Sequence, residues 1–280
     1  MILFKIGPLS QNHLFIFLKY FLLLIMFFIV VMPLIIMVSS AFKPEAELYD
    51  FPMRIIPATP TLDNFRQLAD RFPLYTWNSF KVTFLIVIVQ LFTATTGAYA
   101  FSKLQWKGRD VLFVLYLASI MIPVQSIIIP QFLIIRNFGL YNTHLALILT
   151  GSFTAFGTFL IKQFFMTIPK SYNEAAYIDG ANDFTVFYKV VLPLAKPALA
   201  TQIIFAFRFF WNDFFGPLIY ITSDHLKTLP LGMSDFATEF YVWRAPQMAA
   251  SFISVIPVMI IFFVAQKYFV EGVAAAGVKG

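Results

Sequence analysis

Four residues able to do polar chemistry stand together in an otherwise apolar stretch: Arg208, Trp211, Asn212 and Asp213, within IIFAFRFFWNDFFGPLIY (203–220). Arginine is a permanent cation, asparagine both donates and accepts, aspartate accepts, and an indole offers a flat face with one N–H donor. Such a set can hold a polar solute. It does not form a catalytic constellation, because no Ser, His and Asp grouping can be placed at one depth. His13, His144 and His225 are too dispersed for a metal cluster. The chain has no cysteine, which removes disulfides, thiolate metal sites and cysteine nucleophiles. Gly272 to Gly277 spells G-x4-G, but Val278-Lys279-Gly280 follows where a phosphate-binding loop needs Lys-Ser/Thr and a helix. The expectation is no catalytic residue, no cofactor and no metal.

Arg208 and Asp213 need special placement, since a charge at the centre of a membrane helix costs at least about 2.5 to 3.5 kcal/mol. They should face protein, a charged partner or a wet cavity. Their spacing does not match the three or four residues that bring side chains together on a helix, so separate partners are expected.

The elements that must position these residues follow from composition. Of 280 residues 60% are hydrophobic and 12% charged, with a mean hydropathy of +0.79, which does not describe a water-soluble surface. A bilayer core needs about 20 apolar residues per helix. Six stretches qualify: Phe21–Val38, Val82–Ser102, Val111–Ile135, Leu145–Ile161, roughly Ala198–Thr222 with interruptions, and Ala245–Gln266. With flanking residues, the spans are expected at 14–42, 77–102, 110–135, 144–168, 198–222 and 246–268. Their lengths suit helices and exceed barrel strands. The first is longer than the apolar part of a signal peptide, so it reads as a retained span although Val38-Ser39-Ser40 weakly imitates a cleavage site. Pro33, Pro123, Pro130, Pro217 and Pro257 would bend these helices.

The net charge of +6 is scattered between spans and not gathered on one face, which argues against nucleic acid. With the N-terminus inside, the inner segments carry eleven lysines and arginines against eight outside. That bias places both termini in the cytoplasm. The first outer segment, 43–76, is Pro-rich and charged, then turns helical after Thr61, with Asp63 as its expected cap. The second, Ser223–Ala245, is amphipathic, and its Phe236, Phe240, Tyr241 and Trp243 suit the membrane interface.

One inner segment is polar: SYNEAAYIDGANDFTVFYKVVLPLAKPALA (171–200). Ser171 precedes Glu174 by three residues, as in a capping box, so a helix should start at the serine. Asp179-Gly180 should end it, because glycine takes a left-handed conformation without a Cβ clash. Asn182 or Asp183 can cap a second helix reaching Leu192, with Pro193 halting or kinking it. These features alone fit any cytoplasmic helical hairpin.

The spacing is more specific. Glu174-Ala175-Ala176, three residues, Gly180, nine residues, Val190, one residue, Leu192-Pro193 resembles the EAA-x3-G-x9-I-x-LP loop of binding-protein-dependent ABC importer permeases, with Val for Ile. SSAFKPEAELY (39–49), TPTLDNF (59–65), Asn78-Ser79, MIPVQSIIIPQF (121–132), Phe138-Gly139-Leu140 with Asn142-Thr143, FFMTIP (164–169), WNDFFGPLIY (211–220), TLPLG (228–232) and QKYFVEGVAAAGVKG (266–280) are similar to the shorter permease of the carbohydrate-uptake class. Ala276-Gly277 departs from the usual order of small residues at the ending.

The resemblance implies an all-α membrane protein: a polytopic bundle of six transmembrane helices, the type I ABC importer permease fold, with a cytoplasmic coupling-helix hairpin at 169–197. It implies a heterodimer with a second permease subunit in a prokaryotic cytoplasmic membrane. Two cytoplasmic ABC ATPase subunits would hydrolyse ATP, an extracytoplasmic solute-binding protein would deliver the solute, and the solute would be a carbohydrate. Glu174, Ala175, Ala176, Gly180, Leu192 and Pro193 would contact the ATPase. Trp211, Asn212 and Asp213, the family-like part, would line the solute pathway, with Trp211 either stacking on a sugar or packing within the protein. Arg208 stands where the family is expected to have an uncharged residue, and would serve either that pathway or a salt bridge or hydrogen bond to the second subunit. A rival of another class, a self-contained secondary carrier or channel, predicts acidic residues within spans, and Asp213 is the single one found inside the six apolar stretches.

Overall fold

A computed structural model of the chain describes residues 8–236 and 243–277. Phe240 and Tyr241 of the second outer segment, together with Lys5 and Val278-Lys279-Gly280, lie outside the described residues. No strand occurs among the described residues. Two compact units make up the chain.

The first unit comprises residues up to Asp70 together with Phe236–Ile253. Its long helix α1 (Pro8–Ala41) carries Pro33 without a break. The side chains from Phe15 to Val30 are exposed, as befits a helix whose surroundings are lipid. The chain leaving α1 is tied down by Asn64, whose buried amide donates to the carbonyls of Ala41 at 2.9 Å and Lys43 at 2.7 Å. Helix α2 (Asp63–Leu68) starts as expected after Thr61, but Asp63 is not its cap. Asp63 is already in the first turn and pairs with Arg66 at 2.9 Å, while Thr61 Oγ1 accepts the Asp63 amide at 3.1 Å. Phe42, Phe65 and Phe252 form a ring cluster. Glu45 accepts the backbone amides of Arg244 and Ala245 at 3.1 and 2.7 Å. It thus sets a negative charge on the first turn of the helix Arg244–Gly277, where free N–H groups favour one.

The second unit runs from Arg71 to Asp235 and resumes at Ser254. Its elements are α3 (Phe72–Ser102), α4 (Arg109–Ala118), α5 (Val124–Asn137), α6 (His144–Gly151), α7 (Ala155–Thr167), α8 (Lys170–Ile178), α9 (Asp183–Val186), α10 (Leu192–Leu194), α11 (Lys196–Trp211), α12 (Phe215–Tyr220), α13 (Leu229–Met233) and the remainder of α14 (Arg244–Gly277). Helix α3 is central and packs on α7, α11, α6 and α13. Ala94 and Ala98 are fully buried on it, and such small residues let neighbouring backbones approach.

Three helical stretches are each long and apolar enough to cross a membrane: Phe15–Ala41, Phe72–Ser102 and Arg244–Val264. Three bent pairs raise the total to as many as six. The stretch 111–135 is therefore not one kinked helix. It breaks by 100° at Ile122-Pro123, where both residues are extended and proline has no amide to continue the ladder. The stretch 145–161 bends by 42° around Thr154, whose hydroxyl accepts the Gly157 amide and starts α7 afresh. Asn212–Phe214 separates α11 from α12. Pro130 and Pro257 remain inside their helices.

Candidate functional site

The polar insert forms the hairpin that its turn residues predict, with two corrections. Helix α8 begins at Lys170, with Pro169 as its N-cap and no side-chain cap. The Ser171–Glu174 capping box is therefore absent: Pro169 sets the extended entry (ψ 140°), so Ser171 is already inside the first turn. Glu174 and Ala175 are exposed and Ala176 half-buried. The helix ends at Ile178, and Gly180 follows with φ 80°, a conformation glycine alone takes cheaply. The Ala181 amide bonds to Ala176 O at 2.9 Å, closing the turn. Asn182 caps α9 by accepting the Thr185 amide at 2.9 Å.

The second helix does not stop short of Pro193. The helical run is continuous from Asp183 to Leu194, with a π turn at Phe187–Val191 immediately ahead of Pro193. The proline removes one ladder N–H, and the run ends one residue after it. The chain redirects at Ala195, with a bend of 77° between Asp183–Leu194 and Lys196–Trp211. Leu192 is half-buried and Pro193 exposed.

The hairpin is docked against the end of α3. Ala94, Ala98, Tyr99, Ile161, Phe165, Ile168, Val186, Val191 and Ala195 form one buried apolar cluster. Tyr99 OH donates to Asp183 O at 3.1 Å, and Lys103 Nζ to Ile168 O at 3.0 Å. Tyr177 OH donates to Asp183 Oδ1 at 2.6 Å. That carboxylate, and then burial, raise the Tyr177 hydroxyl above its ordinary pKa. Burial first, and then the charge of Lys170, lower Lys103 below the usual lysine value.

A cavity of about 1390 Å³ lies among α3, α5, α6, α11 and α12. Its walls include Phe153, Phe156, Phe205 and Phe209, interleaved with Gln90, Gln125, Gln131 and Gln202. Arg208, Asn212 and Asp213 all border it. Arg208 is exposed there and makes no ion pair with a described residue. Asp213 does not approach it: its Oδ1 accepts the Gly216 amide at 3.1 Å. Asn212 Nδ2 turns back to the Arg208 carbonyl at 2.8 Å. The four predicted pathway residues are not brought together, because Trp211 points away. It is buried, stacks on Phe207 at 5.4 Å and donates Nε1 to Ser254 O at 2.8 Å. One helical step of about 100° per residue carries Trp211 off the cavity face.

Other cavity residues escaped the sequence reading. Gln90 and Gln202 are buried amides inside apolar helices. Polar side chains within an apolar stretch tend to link helices, and that is the signal by which the sequence could have shown them. Four polar atoms on residues bordering the cavity, Thr83 Oγ1, Gln202 Oε1, Tyr220 OH and Thr228 Oγ1, are buried without a protein partner. Among the described residues no cluster of His, Cys, Asp and Glu is arranged to hold a metal.

Residues 93–275 match the family described as "Binding-protein-dependent transport system inner membrane component". The chain is 34% identical over 253 residues to the arabinooligosaccharides transport system permease protein AraQ of Halalkalibacterium halodurans, covering 89% of this chain and 91% of that protein. It is 30% identical over 269 residues to the multiple sugar-binding transport system permease protein MsmG of Streptococcus mutans, covering 94% and 97%. Among solved structures, a chain of a bacterial ABC transporter involved in the import of the acidic polysaccharide alginate superposes with a TM-score of 0.83 at 26% identity, covering 92% of this chain and 98% of that one. The helical architecture is thus the type I importer permease fold. By the match over residues 93–275 and the likeness to AraQ over 89% of its length, the chain belongs to the family of inner-membrane components of binding-protein-dependent transport systems.

Proposed function

We infer that this chain is the multi-pass permease subunit of an ABC importer that takes up a carbohydrate. The observation that carries the reading is the chain's likeness to the arabinooligosaccharide permease over 89% of its length, joined to a polar hairpin with the family's EAA spacing. In this reading the chain pairs with a second permease to enclose the pathway. Two cytoplasmic ATPase subunits hydrolyse ATP, and an extracytoplasmic solute-binding protein presents the solute. The chain itself is no enzyme.

The finer assignments follow the same reading. The chain crosses the membrane six times, with α4–α5, α6–α7 and the region of α11 as broken spans, and both termini are cytoplasmic. The hairpin 169–197 meets the ATPase through Glu174, Ala175, Ala176 and Gly180, with Leu192 and Pro193 at its far end. Exposed Glu174, Ala175 and Ile178 support this, because they leave one face of α8 uncovered. The cavity bordered by Arg208, Asn212 and Asp213 serves as this subunit's half of the pathway. Aromatic rings beside amides suit a solute with apolar faces and many hydroxyls.

Co-purification with an ATPase and a second permease, followed by uptake into vesicles, tests the reading. Uptake should require ATP and the binding protein. Uptake by the purified chain alone, driven by an ion gradient, would replace this reading with that of a secondary carrier.

A further inference from the structure

We infer that Tyr99 and Lys103 are positioning residues that clamp the cytoplasmic hairpin to α3, converting displacement of the hairpin into displacement of the cavity wall. This rests on the reading of 169–197 as the segment that meets the ATPase. Tyr99 stands in the last turn of α3, and Lys103 directly follows that helix. Their spacing of four residues puts both on one face.

Each donates to a backbone carbonyl, so each fixes main chain and not merely a rotamer. Lys103 Nζ reaches Ile168 O at 3.0 Å, at the entrance to the hairpin. Ile168 caps the C-terminus of α7, where carbonyls lack helical partners and a cation is favoured. Tyr99 OH reaches Asp183 O at 3.1 Å, at the start of the second helix. The Phe187 ring packs tilted against the Tyr99 ring, with centroids 5.0 Å apart. Buried Val186, Val191 and Ile168 fill the space against Ala94 and Ala98.

The first helix is joined to the same point by Tyr177 OH on Asp183 Oδ1 at 2.6 Å. The hairpin therefore has a clamped face and a free face, the free one carrying Glu174 and Ala175. A push on the free face reaches α3 through these bonds. Gln90, on the cavity wall, lies nine residues before Tyr99 on the same unbroken helix, about 14 Å along its axis. A continuous helix carries movement over that distance without a hinge.

The test uses the whole importer, with its second permease, ATPases and binding protein, reconstituted in lipid vesicles. Tyr99→Phe combined with Lys103→Met removes both donors and keeps the ring and the aliphatic stem. The expected result is a complex that retains its ATPase and its thermal midpoint but imports about tenfold less solute per ATP hydrolysed. Lys103→Arg, which keeps a cationic donor, should import as the wild type does. Unchanged import per ATP in the double variant overturns the clamp. Selective loss of the ATPase from the double variant also overturns it, because the pair would then only shape the docking surface. A wild-type complex that holds no ATPase overturns the underlying reading of the hairpin instead.

Discussion

Gln202 donates Nε2 to Gln90 Oε1 at 3.2 Å, and Gln90 in turn donates Nε2 to the Gly151 carbonyl at 2.7 Å. Two amides thereby join α11, α3 and the end of α6 beside the cavity. The arrangement requires a glycine on α7: a Cβ at Gly157 would lie 2.6 Å from Gln202 Nε2 and 2.6 Å from Thr154 Cγ2. Gln202 is the end of a flexible side chain, but it is buried and bonded, and Thr154 caps α7. Gly157→Ala is therefore expected to destabilise the fold by about 1 to 3 kcal/mol. A thermal midpoint in detergent measures this, and an unchanged midpoint would show that Gln202 moves freely.

Gly180 makes a different demand, because nothing lies within 4 Å of its ideal Cβ while its φ is +80°. Space is available and the backbone is the constraint. Gly180→Val places a β-branched residue in a left-handed conformation, costing at least about 1 to 2 kcal/mol. The turn between α8 and α9 should open. Protease cleavage between 178 and 183 in the intact membrane complex should rise, whereas equal cleavage in variant and wild type would mean that the turn tolerates the side chain.

Glu174 is exposed and forms no capping box, so removing it should cost the fold little, within about 0.5 kcal/mol as for most surface sites. A carboxylate desolvated against a basic partner is worth about 2 to 5 kcal/mol when truncated. Glu174→Ala is thus expected to reduce co-purified ATPase while permease abundance stays constant. Parallel losses of both would show that Glu174 serves the permease fold and not the contact.

The hairpin was legible in the sequence because its punctuation is local. Gly180 and Asn182 act on residues beside them, and the structure uses both as their chemistry dictates. The start of α8 was misread because Pro169 and Ser171 compete for the same N-terminus, and the extended proline prevails as cap two residues before the serine. The apolar stretches were legible through length, but hydropathy does not register a 100° break at Ile122-Pro123, since both halves remain apolar. The cavity was half legible: a charge in a span announces Arg208 and Asp213. Which way Trp211 faces depends on the helix phase and on the Ser254 carbonyl, a partner 43 residues away. Tyr99 and Lys103 gave no signal, because their partners are backbone carbonyls brought near by packing.

Arg208 presents a cation to the cavity, while the nearby acid, Asp213, is engaged by the Gly216 amide. In the proposed reading of the cavity as the solute path, the Arg208 guanidinium offers a carboxylate-bearing solute a partner that its neutral counterpart cannot use in the same way. A charge-assisted hydrogen bond contributes about 1.5 to 3 kcal/mol. Arg208→Gln should therefore slow import of an acidic oligosaccharide by about tenfold or more and leave a neutral one nearly unchanged. Vesicle uptake of the two solutes separates the cases: equal slowing of both would assign Arg208 to contact with the second permease.

Asp224 collects three donors on its carboxylate: Lys227 Nζ at 3.1 Å, Tyr75 OH at 3.0 Å and Arg71 Nη1 at 3.0 Å. The Lys227 contact foremost, with Tyr75 and Arg71 adding to it, holds the carboxyl below its ordinary value of 3.8. A carboxylate with a lowered folded pKa stabilises the fold at pH above the unfolded value and loses that contribution as pH falls through the folded one. The segment 223–235 is joined to the start of α3 partly by these contacts, alongside the Asn78 amide on the His225 and Lys227 carbonyls. Asp224→Asn removes the charge at every pH. The variant should therefore melt below the wild type at neutral pH, and the gap should close only as pH falls below about 3.8. A gap that persists undiminished at lower pH would mean that the carboxyl's geometry, and not its charge, holds the segment.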